Sequence, residues 1–327
     1  MTRGGHTKKT AMLVYNRNNY NTYGCNSLKV GIAGNKAVKA YMLLTVAVFS
    51  WALNTVLAKG MINEIEPMTL SFFRWFSALC FILPFGLKRV LKEKEILRQN
   101  YIKIVILSIF SISLYNSLIY CSARFTTATN MSFVIAATPA TTFIVSWIFL
   151  RQKESFPRIL GMLLSLGGML LIVFKGNINN LLSLVVNPGD LLAFGAVVSW
   201  AIYSVLLAYM KLDIDRVAFL TITIITGLPF ILPFYLHELS EYGLFAVNIK
   251  NISIILFLGI FPSIVSYLCW NEGVKRAGPN MASIFLYLIP VVASLVAFFF
   301  LGERIHLYHI AGGLLILGGL VLYCKQT

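Results

Sequence analysis

Of the 327 residues, 58% are hydrophobic and only 12% are charged, against about 45–50% and about 25% in soluble domains. That composition excludes a single water-soluble core, and the long apolar runs exclude helices that keep one face polar. The formal charge of +15 invites a nucleic-acid partner, but the basic residues sit in short segments between apolar runs, as topology determinants do, so the expected partner is the lipid bilayer and no nucleic acid.

Residues 1–39 are polar, rich in Asn, and hold seven basic residues and no acidic one. The stretch is too long and too polar for a signal peptide. It reads as a flexible basic cytoplasmic tail, or as sequence upstream of a later start at Met12 or Met42. Ten spans of bilayer length follow: Tyr41–Ala58, Pro67–Leu87, Ile104–Ser122, Phe125–Leu150 and Ile159–Phe174 in a first unit (40–175), then Leu191–Met210, Val217–Leu236, Ile252–Asn271, Pro279–Leu301 and Leu307–Cys324 in a second (188–325). The fourth is long enough to be tilted or bent. With a cytoplasmic N-terminus, 21 basic residues fall inside and five outside, and Arg74 lies within a span. Such a split fits ten helices with both termini cytoplasmic, in the plasma membrane.

The two units repeat each other. Ser50-Trp51-Ala52-Leu53-Asn54-Thr55-Val56-Leu57 opens the first and Ser199-Trp200-Ala201-Ile202-Tyr203-Ser204-Val205-Leu206 the second, with five identities in eight. At a shift of 151, Pro139 matches Pro290, Phe149-Leu150 matches Phe300-Leu301, Gly161 matches Gly312, and Gly167-Gly168 matches Gly318-Gly319. Five helices is an odd number, so the second copy enters the membrane from the opposite side. The expected fold is an all-α integral membrane protein of ten transmembrane helices, built as two inverted five-helix repeats. Inverted repeats give a chain two conformations of similar energy with a solute site between them.

These motifs, together with Ser71-Phe72-Phe73-Arg74-Trp75, Thr126-Thr127-Ala128-Thr129 and Leu301-Gly302-Glu303-Arg304, resemble the EamA-type branch of the drug/metabolite transporter superfamily over about Tyr41 to Cys324. The resemblance implies export or exchange of amino acids or other small metabolites, with no bound cofactor. The first copy departs from it: Leu150-Arg151-Gln152-Lys153-Glu154 stands where the second has Leu-Gly-Glu-Arg.

Arg74 lies seven residues past Pro67, about 10 Å along a helix. A charge at the centre of a membrane helix costs at least about 2.5 kcal/mol, which directs it toward a cavity or partner. It is therefore the expected anchor for a solute carboxylate or phosphate, against the bland alternative of snorkelling to the headgroups. None of the twelve acidic residues falls within a predicted span, which argues against a carboxylate proton relay. Glu272, nearest to one, is expected to pair with Lys275 or Arg276. Pro139 and Pro290, near the middle of the fourth and ninth spans, are expected hinges that each remove a backbone hydrogen bond. Trp51, Asn54, Asn116, Tyr203, Tyr267, Trp270 and Tyr287 complete the expected solute site, offering amide, phenol and ring surfaces to a polar metabolite.

Gly161 and Gly168, like Gly312 and Gly319, share a helix face and belong to close helix packing or to a homodimer interface. The five cysteines, Cys25, Cys80, Cys121, Cys269 and Cys324, contain no C-x-x-C pair and support neither a metal site nor a disulfide. A membrane-embedded enzyme is the first alternative, but the chain has no H-E-x-x-H and no intramembrane Asp pair, so no catalytic residue is assigned. A non-transporting scaffold is the second, and no loop is long enough for a soluble domain.

Overall fold

The computed structural model describes residues 33–61, 64–126, 128–182, 187–301 and 304–325. Most of the predicted tail, with Met12 and Cys25, lies outside the described residues, as do Thr127 and the Gly302-Glu303 pair. Among the described residues every regular element is helical. Ten helical spans are long and apolar enough to cross a bilayer. They are α1 (Ala33–Met61), α2 (Pro67–Lys92), α3 (Tyr101–Ser122), α4 (Ala128–Ile135 and Thr138–Leu150), α5 (Phe156–Val173), α6 (Pro188–Met210), α7 (Arg216–Tyr242), α8 (Ile249–Ala277), α9 (Pro279–Ile284 and Leu288–Leu301) and α10 (Leu307–Lys325). We call the end of the bundle that holds Ala33 and Lys325 the basic end, and the opposite one the far end.

Several spans outrun the sequence expectation. The first begins at Ala33, inside the predicted tail, and α7 continues through Glu238 and Glu241 to Tyr242. The reading that no acid lies within a span is thereby corrected. Amphipathic last turns escape a rule based on apolar runs, because one polar residue ends the run without ending the helix.

Helix starts are fixed by side chains that accept the orphan backbone N–H groups. Asn187 and Asp190 form a reciprocal capping box on α6, Asp215 accepts from Val217 and Ala218 on α7, and Asn248 accepts from Asn251 on α8. The local Glu66 gives α2 no such cap, and Glu238 of α7 serves instead, accepting from the backbone N of Met68 at 3.1 Å and of Thr69 at 2.8 Å. A carboxylate there also complements the positive end of the helix dipole.

Repeat mates pack antiparallel. Along α5 and α10, a Cβ on Gly161 would lie 2.6 Å from the carbonyl O of Gly319, and one on Gly168 2.5 Å from that of Gly312. The reciprocal approaches are 2.4 Å for Gly319 and 2.6 Å for Gly312. The glycine faces are thus filled within one chain, as close packing between the repeats. Likewise the mates α2 and α7 meet where Gly86 faces Thr221; α1 packs not on its mate but on α8, where Gly273 faces Leu44.

Two corrections concern the hinges. Neither proline kinks a continuous helix. A turn at Ala136 and Ala137 ends the first piece of α4, and Pro139 sits in the first turn of the next piece. A 3-10 turn, Phe285–Tyr287, interrupts α9 just before the helix that contains Pro290. Near a helix N-terminus the missing proline N–H has no intrahelical acceptor to lose, so each proline begins a segment and breaks no bond. The second correction is that the wide turns lie elsewhere: Ile109–Leu114 of α3 and Gly259–Val265 of α8, at equivalent repeat positions, are π-helical.

Candidate functional site

A π-helical turn leaves backbone carbonyls without their usual acceptance pattern, and inside a membrane protein these must find buried partners. Four of the eight predicted solute-site residues, Trp51, Arg74, Asn116 and Tyr267, supply those partners. The Pro262 carbonyl of α8 accepts from Trp51 Nε1 at 3.0 Å and from an Arg74 Nη at 3.2 Å. On α3, the Ser111 carbonyl accepts from Asn116 Nδ2 at 2.9 Å and from the Tyr267 hydroxyl at 3.0 Å. Arg74, through Asn116 and Pro262, and Tyr267, through the Ser111 carbonyl, link the two irregular regions, one per repeat.

Arg74 is the hub. Its side chain is 3% exposed and bonds the Asn116 amide oxygen at 3.1 Å, the Tyr120 hydroxyl at 2.9 Å and Ser263 Oγ at 2.7 Å, besides Pro262. Snorkelling is therefore corrected, since the guanidinium turns inward and touches both repeats. Among the described residues no carboxylate lies within ion-pair distance of it. A buried charge held only by neutral groups is costly, and it makes the centre of the bundle electropositive and attractive to anions.

Around the hub lies an aromatic cluster. Repeat mates Trp51 and Trp200 meet edge to face at 5.2 Å, Trp270 lies 5.2 Å from Trp51, and Tyr267 lies 5.0 Å from Trp75. Tyr115 and Tyr203 flank Trp200 at 4.8 and 5.4 Å. Tyr203 also donates to the Asn271 amide oxygen at 2.5 Å, and Trp270 Nε1 to Ser204 Oγ at 3.3 Å. Several polar atoms here are buried without a partner, among them Ser50 Oγ, Asn54 Oδ1, Ser71 Oγ and the indole nitrogens of Trp75 and Trp200.

The structure thus brings together Arg74, Trp51, Asn116, Tyr203, Tyr267 and Trp270. Asn54, one turn past Trp51, shares the region with an unsatisfied amide oxygen. Tyr287 stands apart from this ring cluster, on the 3-10 turn of α9 that packs against α1 and α5, with its hydroxyl unpaired. Pro139 lines a crevice at the basic end beside Glu154, Arg158 and Asn280. Sequence reasoning missed Trp75, Tyr115, Tyr120, Trp200 and Ser263. Two had a signal: Tyr120 lies four residues past Asn116, on the same helix face, and Trp200 is the repeat mate of Trp51.

Polar contacts mark both ends. At the far end a cavity of about 520 Å³ is lined by Glu64, Glu66, Thr69, Arg124, Tyr242 and Phe245 among others. Arg124 pairs there with Glu66, and Lys250 with Glu64. At the basic end the crevice beside Pro139 holds about 10 Å³, hardly room for one water. Glu272 pairs with Arg276, as expected from sequence, and lies 3.7 Å from Arg216. Outside the membrane spans, Asp215 is raised by burial, but the Ala218 and Val217 N–H groups and the Arg89 guanidinium outweigh that and hold its carboxyl below the usual range.

The model of the EamA-like transporter family matches residues 38–174 and 187–324, one match per repeat. The Bacillus subtilis (strain 168) uncharacterized transporter YyaM is 27% identical over 280 residues, covering 86% of this chain and 91% of its own. An uncharacterized transporter of Archaeoglobus fulgidus is 25% identical over 285 residues, covering 87% and 96%. A solved crystal structure superposes with a TM-score of 0.71 at 17% identity, covering 88% of this chain and 97% of that one, a likeness of fold alone.

Proposed function

Because the chain belongs to the EamA-like transporter family and is a multi-pass membrane transporter, we propose that it moves a small carboxylated metabolite, an amino acid being the type case, across the plasma membrane by alternating access. The observation that carries this reading is Arg74, buried in the middle of the bundle, bonded to both repeats and lacking a carboxylate partner. A solute carboxylate approaching it gains a charge-assisted, bidentate contact that the neutral Asn116, Tyr120 and Ser263 cannot give. The ring faces of Trp51, Trp200, Tyr267 and Trp270 beside it suit an ammonium or an apolar side chain.

The remaining features support the cycle. The basic end is cytoplasmic on the charge asymmetry of the loops, so the far-end cavity opens outside. Inverted repeats supply two states of similar energy. Export or exchange of a metabolite fits the centre, where charge is cationic and unbalanced. Neither Pro139 nor Pro290 interrupts a helix by itself, but each marks the segment junction that lets α4 and α9 bend, and in that role they remain the hinges of this proposal.

The test is to express the native protein and Arg74→Ala in a host at equal membrane levels and to profile metabolites outside the cells against an empty-vector control. A carboxylated solute that accumulates with the native protein and vanishes with the variant supports the assignment. Arg74→Lys, which keeps charge but loses the planar fork, is expected to retain a fraction of the export. Identical profiles for native protein and Arg74→Ala, both different from the control, would leave transport standing and remove Arg74 from the solute site.

A further inference from the structure

The repeat relation that pairs Trp51 with Trp200 also pairs Ser50 with Ser199 and Asn54 with Tyr203. The relation that pairs Pro139 with Pro290 also pairs Phe110 with Phe261, Ser111 with Pro262 and Tyr120 with Asn271. Three hydrogen bonds between these positions each exist in one copy and not in the other. Tyr203 bonds Asn271, Trp51 Nε1 bonds the Pro262 carbonyl, and Ser199 Oγ bonds the Phe110 carbonyl at 2.7 Å. Their mirror images would join Asn54 to Tyr120, Trp200 Nε1 to the Ser111 carbonyl, and Ser50 Oγ to the Phe261 carbonyl.

In each mirror image one atom is buried and unpaired: Asn54 Oδ1, Trp200 Nε1 and Ser50 Oγ. Buried polar atoms without partners are rare and costly, and each calls for a physical explanation. Here one explanation covers three. The intended partners are held otherwise: Tyr120 accepts from Arg74, the Ser111 carbonyl from Asn116 and Tyr267, and the Phe261 carbonyl from Ser266 at 3.1 Å.

The backbone shows the same imbalance. Helix α6 packs against the Ser266–Ala277 part of α8 and the Pro279–Ile284 piece of α9. Among the described residues, α1 makes no comparable contact with the Tyr115–Ser122 part of α3 or the Ala128–Ile135 piece of α4. The closed side is the basic end, and the loose side is the far end, where the 520 Å³ cavity lies.

We propose that the other conformation of the transport cycle is reached by exchanging these bonds between the repeats, with Asn54 of α1 and Tyr120 of α3 closing the far end as Tyr203 and Asn271 close the basic end. The inference rests on the alternating-access reading above. It assigns Asn54 and Tyr120 as a gate pair, and it places Tyr120 at a branch point. Here Tyr120 accepts from Arg74; its O–H is free to donate to Asn54 Oδ1, and when the ring swings across to make that bond its oxygen leaves the guanidinium, which needs a replacement acceptor that a bound carboxylate provides. Solute binding and closure are thereby coupled through one hydroxyl.

Reversible crosslinking of paired cysteines by a short bifunctional methanethiosulfonate tests it, since a phenol-to-amide bond holds its Cα atoms farther apart than the about 7 Å that a direct disulfide spans. In a chain with alanine at positions 25, 80, 121, 269 and 324, Asn54→Cys is combined with Tyr120→Cys, and separately Tyr203→Cys with Asn271→Cys. Crosslinks are read by gel mobility, which does not require export to survive the substitutions, and export is followed before and after reduction. The expected result is that both pairs crosslink, the Tyr203/Asn271 positions faster, and that each crosslink arrests export until a reductant releases it. Crosslinking and arrest at 203/271 with none at 54/120 would overturn the gate pair and leave alternating access intact. Export that continues through both crosslinks would overturn the alternating-access reading itself.

Discussion

Two of the seams that join the repeats obey the symmetry differently. Where α5 meets α10, each glycine touches the backbone of its opposite number, and the four approaches agree within 0.2 Å, from 2.4 to 2.6 Å. Where α1, α3, α6 and α8 meet, bonds made in one copy are missing from the other, and polar atoms are left unpaired. A symmetric, backbone-to-backbone seam has one arrangement and suits a fixed pivot. An asymmetric seam with unsatisfied groups has a second arrangement of comparable energy within reach, as a bistable element needs.

The largest effect is expected at the pivot. Gly168→Ala drives a Cβ to 2.5 Å from the Gly312 carbonyl O, a contact with backbone that no rotamer relieves, whereas a Cβ on the adjacent Gly167 meets nothing within 4 Å. Overpacking of this kind costs about 1–3 kcal/mol. Gly167→Ala should instead be neutral or stabilising by about 0.5–1 kcal/mol, as expected for alanine replacing glycine inside a helix. Thermal unfolding of the purified protein in detergent checks both. Equal melting temperatures for the two variants would break the distinction between a fixed and a movable seam.

The moving seam should answer smaller changes with altered populations while stability stays nearly constant. Tyr203→Phe removes the 2.5 Å bond to Asn271 and keeps the ring beside Trp200. A net hydrogen bond is worth about 0.5–1.5 kcal/mol, so the balance should shift about two- to tenfold toward the state open at the basic end. The rate of crosslinking between positions 54 and 120, measured in the Tyr203→Phe background, should rise by a similar factor. A fall would mean that the 203/271 bond does not oppose far-end closure.

How much of this could be read from the sequence follows the same division. The ten spans, the inversion and the glycine faces were legible because composition and spacing encode them directly: apolar length gives the spans, an odd count gives the inversion, and glycines seven apart give one face. Arg74 was legible because a charge in an apolar run has few reasons to exist. The π-turns were not, since Ile109–Leu114 and Gly259–Val265 carry no residue pattern that distinguishes them from continuous helix, apart from Pro262. For that reason Trp75 and Ser263 escape a reading of the sequence, and Tyr120 offers only its spacing from Asn116. Their importance comes from contacts that only the tertiary structure makes: Tyr120 and Ser263 accept from Arg74, and Trp75 packs against Tyr267. Glu238 was hidden by the mixed last turns of α7, and its cap on α2 joins residues far apart in sequence.

The smallest expected effect concerns the polar latch beside the closed end. Asp215 accepts from Val217 and Ala218 and pairs with Arg89 at 3.0 Å, while Glu93 accepts from the Asp215 backbone N at 2.9 Å. Its carboxyl is held below the usual range although burial works the other way. A depressed folded value adds stability above the unfolded pKa of about 3.9, and that stability is lost as pH falls through the folded value. Asp215→Asn keeps a competent helix cap and removes only the charge, whose exposed pairing is worth less than about 1 kcal/mol. The variant should therefore melt slightly below the native protein at pH 7, and the gap should close as the pH drops below about 4. A gap that widens with acid would mean that the carboxylate is destabilising in the folded state and that the latch at this end is held by Glu93 alone.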